Sequence, residues 1–163
     1  MTRLRFLILF WLLLTVGGCG KSSHPTDDAL LRNFASHEAD FERLLTMIRA
    51  DKKLQRVDDT WTRPEDPSTI GITPERIRSY RALFSTLGIP RGFYAFHDPE
   101  HFTFLSSTRG LSVSGSAKGY AYLAQRPNLV VTNLDAYWSA DGRSFTAYRH
   151  IKGSWYLYFD YED

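Results

Sequence analysis

Ser144-Phe-Thr-Ala-Tyr-Arg-His-Ile-Lys-Gly-Ser-Trp-Tyr-Leu-Tyr-Phe-Asp-Tyr161 is the stretch that decides the fold. It is dense in aromatic and β-branched residues and is interrupted once, at Lys152-Gly153, so it reads as two strands closed into a hairpin. With Lys152-Gly153 as a two-residue turn, Ile151 pairs with Ser154, Arg149 with Tyr156 and Ala147 with Tyr158. The opposite face then carries Tyr148, His150, Trp155, Leu157 and Phe159. Both faces are rich in large side chains, so one of them is expected to stay partly uncovered, as a ligand or partner groove floored by tyrosines. A register slip of one residue exchanges the two faces.

Upstream of the hairpin the strand signal continues. Gly92–Phe96, His101–Ser106, Leu111–Ser114, Gly119–Leu123 and Leu129–Thr132 are short, strand-like and separated by turn residues. No interval among them is long enough for a crossover helix, so the sheet is expected to be an antiparallel meander of about five to seven strands. Before residue 90 the period changes to helical. Leu30, Phe34, His37, Phe41, Leu44/Leu45 and Ile48 form one stripe, predicting a helix over about 27–51 with Thr26 as cap and Asp27 and Asp28 in the first turn. His37 within the stripe is expected to be partly buried and satisfied by a nearby partner. Thr73, Pro74 and Glu75 start a second helix whose stripe is Ile77, Tyr80, Leu83/Phe84 and Leu87, and Gly88 stops it.

Residues 52–72 are charged, twice broken by proline and without a period. A connection of that length carries function or holds a concealed strand. Within it Trp61 stands among charges, either plugging the edge of the core or offering an exposed aromatic anchor. The expected architecture is α+β, two N-terminal helices packed on the sheet in two layers, as one domain over 27–163.

The start of the chain is of a different kind. Arg3 and Arg5 precede the apolar block Phe6–Val16, followed by Gly17, Gly18 and Cys19. The block is shorter than the roughly 20 residues that cross a bilayer, and a charged head, apolar middle and small residues make an export signal. Val16-Gly17-Gly18-Cys19 resembles the lipobox of bacterial lipoproteins. That resemblance implies removal of residues 1–18, a diacylglycerol thioether on Cys19 and an acylated new amine (the palmitate-type anchor of the class). Gly20, where an Asp would favour inner-membrane retention, implies the outer membrane facing the periplasm in a Gram-negative host. Residues 19–26 are then the lipidated Cys and a polar tether, with His24 as solvated linker; seven extended residues reach roughly 25 Å.

Charge and cysteine content narrow the function classes. Of 20 basic and 18 acidic side chains, two basic ones lie in the signal, which leaves the body formally neutral. No basic field remains to attract nucleic acid. Cys19 is the single cysteine, so the body has no disulfide, no thiol nucleophile and no thiolate metal site.

Candidate chemistry is sparse. His97 and His101 flank Asp98-Pro99-Glu100, and they are weak metal candidates because Pro99 forbids the helical spacing that two ligands four apart require. Asp98 and Glu100 make an unpromising catalytic pair. Ser112-Val-Ser-Gly-Ser-Ala-Lys118 fits neither an acyltransferase motif nor a phosphate loop and is expected to be a hairpin turn. Arg109, and Arg149 beside Tyr156, are candidate anion-binding groups next to aromatics. The candidate binding set is therefore Trp61, Arg109, Arg149, His150, Tyr156 and Tyr158, with no catalytic residue and no cofactor.

The sequence thus predicts a membrane-anchored envelope protein with a non-catalytic module for a protein, glycan or small ligand. An inhibitor or immunity-type lipoprotein, with a protruding loop at Trp61 or His97–His101, is one alternative. A hydrolase using His150 or His97 with a serine is the other.

Overall fold

A computed structural model describes residues 24–97, 99–111 and 114–163. The signal-like segment, Cys19, Asp98 and Ser112 lie outside the described residues. Two helices, α1 (Asp27–Ser36) and α2 (Glu38–Ala50), lead the described chain. A minimal hairpin follows, β1 (Arg56–Val57) and β2 (Thr62–Arg63), then a short 3-10 turn at Pro67–Ile70 and α3 (Pro74–Leu87). The rest is β3 (Phe93–His97), β4 (Glu100–Leu111), β5 (Ser114–Leu123), β6 (Phe145–Lys152) and β7 (Trp155–Glu162). These seven strands form one antiparallel sheet in the order β2-β1-β3-β4-β5-β7-β6.

The expected α+β architecture is present, with the helices ahead of the sheet, and its details show where sequence patterning runs out. The single helix expected over 27–51 is two. His37, at φ −129° and ψ 23°, leaves helical geometry, and its N–H is shared between the carbonyls of Asn33 and Phe34 at 3.1 Å each. The stripe survives the break, since Phe34 and Phe41 stack across it with centroids 5.0 Å apart. His37 itself is satisfied locally through Nδ1 and the Asn33 carbonyl, 3.0 Å away. The helix α3 matches expectation, with the Thr73 hydroxyl accepting from the Arg76 N–H and Gly88 in the left-handed region. The long charged connection holds the concealed strands β1 and β2.

Two further boundaries differ. Leu111–Ser114 is not a strand of its own; β4 and β5 are both long, and they meet where Leu111 pairs with Ser114. Lys118 is therefore mid-strand, not in a turn. Leu129–Thr132 contributes only an isolated parallel bridge from Val130 to Tyr148, along the free edge of β6. That segment covers the middle of the β6 edge, around Tyr148.

The core lies between the helices and one face of the sheet. Phe41, Leu44, Ile48, Tyr80, Leu87, Phe93, Phe102, Phe104, Tyr120 and Leu157 are fully buried there. Polar atoms inside it are paired: the Tyr120 hydroxyl donates to the Leu30 carbonyl at 3.1 Å and accepts from Asn33 Nδ2 at 2.9 Å. Gly119 lies where β4 bulges, between Leu105 and Ser107, and an added Cβ would stand 2.0 Å from the Phe104 carbonyl oxygen. Only glycine lets the two backbones come that close. Among the described residues no helix is long and apolar enough to cross a membrane.

Candidate functional site

The terminal hairpin settles which face is open. Its turn is Gly153-Ser154, with Lys152 opposite Trp155, and a bulge at Ile151 sets His150 against Tyr156, Tyr148 against Tyr158 and Ala147 against Phe159. The expected pairing is thus one residue out of register. As alternation demands, the slip moves the β6 side chains to the other face relative to β7. Trp155 and Leu157 face the helices together with Ala147, while Tyr156 and Tyr158 belong to a separate cluster with Ala121 and Leu123, against which Tyr148 packs.

Among the described residues this second face carries no helix. Following the strand register, it presents Arg63 on β2, Arg56 on β1, Tyr94 and Phe96 on β3, His101 on β4, Tyr156 and Tyr158 on β7, and Tyr148 and His150 on β6. Tyr94 and Phe96 lie with centroids 4.5 Å apart, Phe96 and His101 at 5.5 Å, and His150 and Tyr156 at 5.2 Å. Phe96 is 50% exposed. A groove of about 430 Å³ runs over this face, walled by Tyr94, Phe96, Tyr148 and Tyr158 and bordered by Asp160 and Glu162. Its one arginine, Arg56, is already engaged: it pairs with Asp58 at 2.9 Å and lies 4.7 Å over the Trp61 ring. Burial pushes the Tyr158 phenol up, and Asp160 adds to the rise, so the hydroxyl stays protonated at any physiological pH. Burial lowers His101, favouring the neutral ring, and its Nε2 has no hydrogen-bond partner.

His150, Tyr156 and Tyr158 from the sequence-derived set therefore share one face; Trp61, a half-exposed aromatic and not a core plug, stands just before the edge strand β2, with Arg56 over its ring and Ile77 and Arg81 of α3 lining the same cavity. His97 and His101 do not share one. His97 pairs opposite Glu100 on the helix side, against Phe102 and 3.3 Å from the Leu54 carbonyl, while His101 faces the groove. The shared metal site is excluded by strand alternation. Among the described residues no group of three potential ligands gathers elsewhere.

Arg149 and Arg109 also belong to the helix side. Arg149 does not lie over Tyr156 but pairs with Asp27 at 2.9 Å. Asp27, 1% exposed, is the hub of a buried ionic cluster that sequence reasoning missed. Its Oδ1 is 2.8 Å from Lys118 Nζ, and its Oδ2 accepts from the Leu134 N–H at 2.8 Å. Its own N–H donates to Asp135 Oδ2 at 2.8 Å, and Asp135 also pairs with Lys118. Burial alone would raise the Asp27 pKa, but hydrogen bonds from Lys118, Leu134 and Arg149 outweigh it and hold the carboxyl below its ordinary value. The one sequence signal for this cluster was Lys118 in a strand-like run, where a lysine on the covered face must find a carboxylate.

Beside the cluster, His24 is no solvated linker. Its Nδ1 is 2.6 Å from Ser107 Oγ, its Nε2 is 2.8 Å from Ser116 Oγ, and its ring meets Phe159 edge-on at 5.5 Å. Burial and the charges of Arg109 and Lys118 bring its pKa down to about 4. With a serine on each nitrogen, no carboxylate orients the ring as in a hydrolytic triad. The expected hydrolase histidines contact backbone carbonyls instead: His150 that of Gly153, at 3.0 Å, and His97 that of Leu54.

Fold and site together define a small α+β domain with one helix-covered sheet face and one open aromatic face. No family model, curated protein or solved structure matches the chain.

Proposed function

We propose that the chain is a lipid-anchored envelope protein whose body is a non-catalytic binding module for a compact organic cation, held in the groove on the open sheet face. The carrying observation is the groove itself: aromatic walls, two bordering carboxylates and an arginine already neutralised by Asp58. Ring faces attract a desolvated cation through their quadrupoles, and Asp160 and Glu162 add charge of the matching sign. A volume of about 430 Å³ falls in the range of small-molecule sites. The lipobox-like Val16–Cys19 supplies the anchor, and Cys19→Ser should keep residues 1–18 and take up no fatty-acid label.

The ligand class is tested by titrating the protein with choline and with 3,3-dimethylbutanol, its uncharged counterpart of similar shape, followed by amide chemical shifts. Choline should shift signals of Tyr94, Phe96 and Tyr158, and Phe96→Ala or Asp160→Asn should weaken it several-fold. Equal binding of the alcohol, or an unchanged choline response in both variants, overturns the cation reading.

A further inference from the structure

The tether is shorter than its composition suggested, and this fixes which end of the domain meets the lipid. His24 is held to β4 and β5 through Ser107 and Ser116, and Thr26 caps α1 through the Ala29 N–H at 3.2 Å. One residue further, Asp27 is tied to β5, β6 and the 134–135 segment through Lys118, Arg149 and Leu134. The chain therefore arrives at the sheet already anchored at residue 24. From Cys19 to His24 there are five peptide steps, which span at most about 17 Å when fully extended. A domain of this length has a radius of gyration of about 14 Å and hence a diameter of about 37 Å, some twice that reach. An anchor on Cys19 therefore keeps the His24 end against the bilayer.

That end carries an exposed aromatic surface. Trp138, 55% exposed, shares a cavity of about 370 Å³ with His24 and Phe159. Its ring lies 4.6 Å from Tyr161 and 5.8 Å from Phe145, and Phe145 in turn meets Phe159 at 5.7 Å. The aromatic row thus runs from the anchoring histidine out to a tryptophan in solvent. Lys118 and Asp135, which line the same cavity, pair with each other, and Arg143 and Asp141 pair at 3.6 Å. Tryptophan with an apolar body and one N–H donor is suited to the boundary between headgroups and acyl chains.

We infer that Trp138 seats in the lipid interface and orients the domain on the membrane; the inference rests on the lipid-anchor reading of Cys19. The domain is then held at two points, an acylated tether and an interfacial ring, and does not swing freely. Because the contact is made by an uncharged ring, it depends little on salt or on anionic lipid.

The test uses the natural acylated protein reconstituted into phosphatidylcholine–phosphatidylethanolamine vesicles, with intact mass and flotation recorded first. Lipids brominated along the acyl chain then serve as quenchers of tryptophan emission. Quenching should be strong in the wild type and in Trp61→Phe, and lost in Trp138→Phe. It should persist at high salt. Acylated, floating protein that is quenched equally with and without Trp138, or not at all, overturns the orientation while leaving the anchor intact. Protein that carries no acyl mass and does not float overturns both. A nitroxide on Ser139→Cys, beside the retained Trp138, compared with one on Thr60→Cys in the β1–β2 turn, gives a second readout: the label at 139 should be the one shielded from a water-soluble relaxation agent.

Discussion

Replacing Asp27 by alanine tests whether the buried ionic cluster or the helix dipole is what that residue serves. A carboxylate that only favours the start of α1 is worth about 0.3–1 kcal/mol. The structure demands more. Loss of the carboxylate leaves Lys118, 2% exposed, with Asp135 as its remaining partner, and deprives the Leu134 N–H of its acceptor. Breaking a buried pair from one side costs about 3–5 kcal/mol. Asp135 still partly compensates Lys118, and Arg149, whose side chain is 26% exposed, can turn to water, so the lower end applies. Asp27→Ala should therefore lose about 3 kcal/mol, or roughly 10 °C in Tm for a domain of this size. Asp27→Leu combined with Lys118→Met removes both charges and should cost less than the sum of the single changes, by about 2 kcal/mol of coupling. Equilibrium urea unfolding at pH 7, followed by circular dichroism, measures the wild type and the four variants, Asp27→Ala, Asp27→Leu, Lys118→Met and the double change. A loss below 1 kcal/mol in Asp27→Ala, or strict additivity in the double variant, would refute the cluster as a stabilising hub.

Two further outcomes are expected. His24 has a native pKa of about 4 against 6.5 unfolded, so the unfolded state binds more protons between these values and stability falls as pH drops from 6.5 to 4. The full shift corresponds to about 3 kcal/mol, which solvent screening of a half-exposed ring reduces to about 1–2. A histidine titration by NMR checks it, and a His24 midpoint near 6.5 would show the ring undocked. Asp27, held below its ordinary 3.8, adds its own loss only under that pH, so the two effects separate along the acid limb. Gly119→Ala should destabilise by several kcal/mol, because its Cβ meets the Phe104 carbonyl oxygen and backbone cannot yield cheaply. An unfolding midpoint within 0.5 kcal/mol of wild type would show that the β4 bulge relaxes.

What the chain discloses on reading depends on how far apart its interacting parts lie. The helix α3 was legible to the residue because Thr73, Pro74 and Gly88 act through bonds only three to five positions away. The break at His37 was not, since the apolar stripe continues through it and the carbonyls that capture its N–H belong to the same turn. The open aromatic face was foreseen, because two strands with large side chains on both sides exceed what a few helices cover. Its membership was not, because one bulge at Ile151 reassigns every β6 side chain.

The buried cluster marks the limit most clearly. Asp27 and Lys118 are 91 positions apart, and Asp27 and Arg149 lie further still, so no local pattern links them. Each had an adequate local explanation: a dipole for Asp27, a turn for Lys118, a tyrosine for Arg149. Yet a buried charge without a partner is too costly for a folded domain to keep. A lysine in mid-strand on the covered face therefore obliges a carboxylate from elsewhere. Once β5 extends back to Ser114, the first acidic residues of the folded chain are natural candidates, because the N-terminal segment must cross the sheet to reach α1. The same contact that satisfies Lys118 pins the start of α1 against the sheet.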